Sequence, residues 1–290
     1  MPQITLKTAH KTRKTRADAL KHKLIPFDFS AAILAIANEV PFVFQRYKSS
    51  TKSKTHQMHL APFLPLMYRI LQPTFPNCLW SGDPNSKAIA LTFDDGPHPY
   101  YTPQLIEVLD HYSIKASFFW LGACVNRSKA IARSVYQRGH WIGNHGYDHR
   151  SFPLLTTAQL KQSLQATQEA IASACCVPNS SIRDVRPPNG LFTPHTLTLL
   201  HQWGYRPVMW SVVPEDWVRP GISVVVQRVL QQVENGSQIV LHDGACGGQD
   251  VAATVAELVP KLQARGYEFV TVDTLWQKAQ FLTSSAVPPF

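Results

Sequence analysis

From Lys87 onward the chain alternates short apolar runs with amphipathic stretches, and that alternation limits what it can fold into. KAIALTF (Lys87–Phe93), ASFFWLG (Ala116–Gly122), HWIGNH (His140–His145), a short run ending at Arg186, PVMWSV (Pro207–Val212), SQIVLH (Ser237–His242) and YEFVTV (Tyr267–Val272) read as seven strands. Helical patterns lie between them. The first has Thr102 as its expected N-cap and Pro103 at the first helical position. The second is expected to be capped by Asn126 and to stop at Gly139. Others span about Thr156–Cys176, Thr193-Pro194 to Gly204, Ile222–Asn235 and Asp250–Arg265, with DTLWQKAQFL after the last strand. Apolar strands separated by helices of this length specify a parallel sheet with helices outside. Seven units suit a barrel one short of eight, or an open doubly wound sheet.

Charge argues against a nucleic-acid binder. The 290 residues carry +9, but residues 1–54 hold 11 of the 28 Lys/Arg and only Asp18, Asp28 and Glu39 as acids. The remainder is close to neutral, which excludes a basic footprint over a whole domain. With 44% hydrophobic and 16% charged residues, the chain is too apolar for overall disorder. The five cysteines (78, 124, 175, 176 and 246) form neither a disulfide framework nor a zinc-finger spacing. In the leader, a basic stretch is followed by SAAILAIA (Ser30–Ala37), the order of a secretory signal. Pro26, Asp28 and the shortness of the run oppose that reading, and a solvated basic tail is the alternative. The window 24–44 is interrupted by prolines and charges, so no transmembrane span is expected.

Unusual polar residues collect where the strands end. Asp94-Asp95-Gly96-Pro97 closes the first, His145 the third, Arg186 the fourth and His242-Asp243-Gly244 the sixth, while Asp216-Trp217 follows the fifth. In a parallel barrel these ends share one rim, where such barrels place active sites. Asp95, His145 and His149 offer a carboxylate and two imidazoles to one divalent metal, leaving positions open for water. Alone, the histidine pair reads equally as polar surface and the aspartates as a turn. Neighbouring strand residues point to opposite faces, but a chain turn at the strand end lets both aspartates serve one site. Asp94 would then act as base, oriented by Arg186. Asp216 would orient His242 and favour its protonated form, making it a general acid.

The ordered set TFDDGP (Thr92–Pro97), HGYDH (His145–His149), RPPNG (Arg186–Gly190), EDW (Glu215–Trp217) and IVLHDG (Ile239–Gly244) resembles the polysaccharide deacetylases of the NodB type, carbohydrate esterase family 4, over about Lys87–Leu282. The resemblance implies an α/β fold, a distorted (β/α) barrel of about seven parallel strand–helix units. It implies Asp95, His145 and His149 as ligands of a divalent metal, usually Zn2+, with Co2+ or another ion accepted in related enzymes. Asp94 matches the catalytic base, His242 the acid, Arg186 the residue positioning the base and Asp216 the one tuning the acid. Trp217, with Val240 and Leu241 before His242, matches the wall receiving the acetyl methyl group, and the backbone N–H of Asn189 an oxyanion donor. Gly146 stands where the family usually has Ser or Thr, and Asn189 where it usually has an aromatic.

The expected activity is hydrolysis of N-acetyl groups on N-acetylglucosamine-containing glycans (chitin-like, peptidoglycan or exopolysaccharide), in or beyond the cell envelope. The alternative is a catalytically inactive carbohydrate-binding protein on the same fold. The expected organisation is 1-54 as a basic leader or signal segment, 55-86 as linker and lead-in, 87-283 as the deacetylase domain and 284-290 as a tail.

Overall fold

A computed structural model describes residues 70–285. The leader, its apolar run and the opening of the lead-in fall outside the described residues. Strand β1 (Ala88–Asp94) shows how the sequence builds the barrel. Its side chains alternate with the period of two that any strand imposes. Ile89, Leu91 and Phe93 join the main core with residues of the surrounding helices. Ala88 and Ala90 pack in a separate cluster with Val272 and Leu275, and Thr92 and Asp94 meet the Arg186 side chain. One face of a seven-residue strand therefore supplies core, while the other supplies small residues below and polar ones above.

The remaining elements follow in order: α1 (Tyr101–His111), β2 (Ser117–Trp120), α2 (Gly122–Arg127), α3 (Lys129–Gln137), β3 (Trp141–Asn144), α4 (Thr157–Cys175), β4 (Asp184–Val185), α5 (Pro194–Gln202), β5 (Arg206–Pro207), α6 (Ile222–Gln232), β6 (Gln238–His242), α7 (Gly248–Ala264), β7 (Glu268–Phe269) and α8 (Val272–Ser285). The seven strands run in the order β5-β4-β3-β2-β1-β6, with β7 paired to the start of β1. Every strand pairing is parallel. Beyond β5 the chain returns to pair Val212 with Ile239 of β6, so the sheet curls and its ends meet. The architecture is a distorted (β/α) barrel rather than an open sheet.

Three local expectations are corrected. Helix α1 begins at Tyr101, and Thr102 is not its N-cap, because its hydroxyl donates across the barrel to Asp243 (2.5 Å). Asn126 caps nothing: it lies inside α2, and the chain breaks at Ser128 before α3. The fifth strand is cut to Arg206–Pro207, after which Val208 pairs with Leu79 of the lead-in. Pro207 has no N–H to donate, and Leu79 donates to its carbonyl (2.9 Å). The helices expected to open at about Thr156 and Thr193 do so, each with that threonine as N-cap in a reciprocal capping box.

The barrel floor is held by charge. Asp184, fully buried at the start of β4, accepts from Arg206 (2.8 and 2.9 Å) and from the Trp141 indole (2.6 Å). Arg206 also reaches Asp273 of α8 at 2.9 Å, tying that helix to the floor. Burial pushes the Asp184 carboxyl above its usual range, against the opposing pull of Arg206. Arg206→Met strands that carboxylate and is expected to cost roughly 3–5 kcal/mol, read as a lower urea midpoint at unchanged m-value. A loss below about 1 kcal/mol, the worth of a surface pair, would refute this role.

Candidate active site

Five strand ends and the loops after them converge. Asp94 is the last residue of β1 and points inward with Thr92. Asp95 follows in the left-handed region (φ 75°), which turns its carboxylate to the same side. The expectation that two adjacent aspartates could share one site is met by that turn. Gly96 is required next to it, because a Cβ there would lie 2.3–2.5 Å from the Asp243 carboxylate.

Arg186 rises from the end of β4 and is fully buried. It donates to Asp94 Oδ1 (2.7 Å), Thr92 Oγ1 (2.8 Å) and the Met209 carbonyl (2.9 Å). Its guanidinium lies 4.0 Å from the centroid of the Phe119 ring. These contacts fix Asp94 Oδ1 and leave Oδ2 facing the site, 3.8 Å from His145 Nε2.

His145 and His149 direct Nε2 at one oxygen, Asp95 Oδ1, at 3.5 and 3.3 Å. Their potential ligand atoms all lie within 4.8 Å of one another. His145 Nδ1 donates to the Arg186 carbonyl at 2.7 Å, so its Nε2 presents a lone pair. Burial, only partly offset by Asp95, pushes the His145 imidazole down to about 3, so it is neutral at physiological pH. Asp95 Oδ1 is itself buried and has no hydrogen-bond partner. The His145 lone pair aimed at an unpaired carboxylate oxygen is repelled by it unless a cation sits between them. Two nitrogens and one oxygen suit zinc or a similar divalent ion.

The loop between these histidines lacks a hydroxyl at Gly146 and is braced from elsewhere. Asn144 Oδ1 accepts from the Gly146 N–H, and Ser163 Oγ of α4 accepts from the Tyr147 N–H, both at 2.9 Å.

Opposite Asp94 stands a second pair. Asp216 binds His242 twice, accepting from its ring Nδ1 and from its backbone N–H, each at 2.8 Å. Burial works against a charged His242, but Asp216, then Asp95 and Asp94, outweigh it and push the ring up to about 10. Gly247 lets the chain pass this pair, since a Cβ there would sit 2.9 Å from Asp216 Oδ2. The Trp217 ring stands edge-on to His242 with centroids 5.1 Å apart. Val240 belongs to the same apolar cluster as Trp217. Leu241 does not: it points the other way from β6 and is fully buried in the helix-facing core. Asn189 lies beyond the end of β4 in the left-handed region (φ 58°), its amide donating to Ser151 at 2.9 Å. Trp120 and Trp210 are core residues, and half-buried Trp141 donates to Asp184.

Two residues without a role in the sequence reading support the machinery. The Thr92 hydroxyl accepts from Arg186 and donates a hydrogen bond to the Ile239 carbonyl at 2.9 Å. Asp243, fully buried behind Gly96, accepts from Thr102 and from the Trp120 indole (3.3 Å). Burial pushes its carboxyl up to about 7. Thr92 was findable as a polar residue on the inward register of a buried strand, and Asp243 as a carboxylate directly after the acid histidine.

Residues 81–208 match the family model for polysaccharide deacetylases. Over 212 residues the chain is 33% identical to a peptidoglycan-N-acetylglucosamine deacetylase of Bacillus cereus, covering 72% of this chain and 97% of that protein. Over 191 residues it is 35% identical to a chitooligosaccharide deacetylase of Sinorhizobium fredii, covering 62% of this chain and 87% of that protein. Among solved structures, a CE4 family pseudoenzyme from Bacillus anthracis superposes with a TM-score of 0.63 at 26% identity, over 69% of this chain and 68% of that one. A shared barrel thus accompanies both activity and its loss. Here Asp94, Asp95, His145, His149 and His242 are all in place; the chain belongs to the polysaccharide deacetylase family, carbohydrate esterase family 4.

Proposed function

We propose that the chain hydrolyses N-acetyl groups on N-acetylglucosamine-containing glycans, with a divalent cation, zinc or cobalt in kind, held by Asp95, His145 and His149. The observation that carries this is the pairing of opposite proton roles across one cleft. Asp94 is fixed by Arg186 as an acceptor, and His242 is held protonated by Asp216 as a donor. When bound, such a cation lowers the pKa of a coordinated water and polarises the acetamide carbonyl.

The chain's own residues supply the rest. Asp94 Oδ2 accepts the proton of the attacking water as its oxygen bonds to the acetamide carbon. The Asn189 N–H, which the family resemblance assigns as a donor, would stabilise the developing oxyanion. His242 Nε2 gives its proton to the amide nitrogen as the C–N bond breaks, releasing acetate and a free amine. Trp217 and Val240 wall the acetyl methyl group. One relative is named for peptidoglycan N-acetylglucosamine and the other for chitooligosaccharides, and N-acetylglucosamine, the sugar common to both glycans, is the substrate class assigned. Glycans of this class lie in or beyond the cell envelope, which is where the protein would act.

Acetate release should appear on a panel of chitin oligomers and peptidoglycan when zinc or cobalt is supplied, and should vanish on chelation. Cation-loaded protein that releases no acetate from any N-acetylated glycan, yet binds one, would establish the inactive carbohydrate-binding reading instead. Nothing in the cleft favours that reading, because binding alone requires neither base nor acid.

A further inference from the structure

A groove of about 500 Å³ opens between α2–α3 and α4, outside the cleft just described. Its volume is that of a ligand pocket. The loop carrying His145 and His149 lends the groove its other residues, Tyr147 and Arg150. Asn126 and Lys129 form one wall, and Gln162 and Glu169, two turns apart on α4, form the other.

Tyr147 is fixed in this groove. Its carbonyl accepts from the Ala123 N–H (3.0 Å), and its N–H donates to Ser163 (2.9 Å). The Asn126 amide reaches its hydroxyl at 3.5 Å. A Cβ on Gly122 would lie 2.7 Å from the ring, so only glycine lets the tyrosine lie against α2.

The chemistry of the walls selects the ligand class. Each carboxamide offers a donor and an acceptor, as paired sugar hydroxyls require, and a fixed aromatic ring offers a face to pyranose C–H groups. The formal charges nearly cancel: Arg150 is matched by Asp148 at 3.0 Å, and Lys129 and Glu169 bring opposite charges to the same lining. An anion gains little there. We infer that the groove is a second glycan site, taking an uncharged N-acetylhexosamine segment of the polymer whose acetyl groups are removed in the cleft. The inference rests on the proposed function for its ligand class. Two sites on one chain raise the effective concentration of a polymer without changing the chemistry on a short one.

The test uses the cation-loaded full chain and two variants, Asn126→Ala/Gln162→Ala and Ala166→Arg, the latter filling the groove floor. Calorimetric titration with triacetylchitotriose is expected to give two molecules per wild-type chain and one per variant chain. The variants should keep kcat/KM on the trisaccharide within about twofold, while KM for the polymer rises at least about tenfold. One trisaccharide per wild-type chain, or an unchanged polymer KM in both variants, overturns the second site. Wild type that binds two trisaccharides but releases no acetate overturns the proposed hydrolysis and leaves the second site standing.

Discussion

Asp94→Asn is expected to reduce acetate release by about 10²–10⁴-fold, the usual worth of a positioned base, while the protein keeps its divalent cation. The substitution preserves shape, and its amide oxygen can still accept from Arg186 at the position Oδ1 holds now, 2.7 Å from Nη1. It removes the ability to take a proton at Oδ2. The cation is expected to stay because both histidines address Asp95 Oδ1, at 3.5 and 3.3 Å, whereas Asp94 lies 3.8 Å from His145 and belongs to Arg186. Metal content after dialysis, measured beside acetate release, separates the two aspartates. If the cation leaves together with the activity, Asp94 is a ligand and the assigned roles are reversed. The thermal midpoint should fall as well, since the buried Arg186 charge loses its counter-charge. Thr92 and the Met209 carbonyl remain as its acceptors.

Strand order carried the parallel α/β sheet and the common rim for a physical reason, while the choice of a barrel over an open doubly wound sheet came only with the family resemblance. A strand's period of two and a parallel sheet's common direction fix where each strand end points, so Asp94, His145, Arg186 and His242 could be placed on one rim before any contact was known. What escaped depended on partners far along the chain. Thr102 has the form of an N-cap, yet its hydroxyl is taken by Asp243, 141 residues away. Asn126 has a cap's chemistry, yet the chain folds as two short helices around it and its amide turns to Tyr147. The family resemblance put Leu241 in the pocket wall, but one step along a strand reverses the face, and Val240 rather than Leu241 points inward with Gln238 and His242. Residues 55-86 were read only as linker and lead-in, and Cys78, Leu79 and Trp80 are nonetheless buried, with Leu79 set beside β5. A segment that adds one residue to a sheet has too little length to show a pattern.

His242→Asn should match the Asp94 variant in size, a loss of about 10²–10⁴-fold, and it tests the opposite half of the reaction. Its effect should depend on the leaving group. An O-acetyl ester expels an alkoxide of lower basicity than an amine anion, so it depends less on a proton donor and should lose less than an N-acetyl substrate does. Equal losses on both would mean that His242 positions the substrate rather than protonating the nitrogen. Asp216→Asn supplies the independent check through pH. His242 must be protonated to act, and its raised value, about 10, keeps it so through neutral pH. Activity should therefore fall as pH climbs through the His242 pKa. Removing the Asp216 charge, 2.8 Å from Nδ1, lowers that pKa, because the neighbouring anion is what outweighs burial. The alkaline limb of kcat/KM should move to lower pH by about 1–3 units, with the acidic limb in place. An alkaline limb that stays where wild type has it would show that some other group delivers the proton.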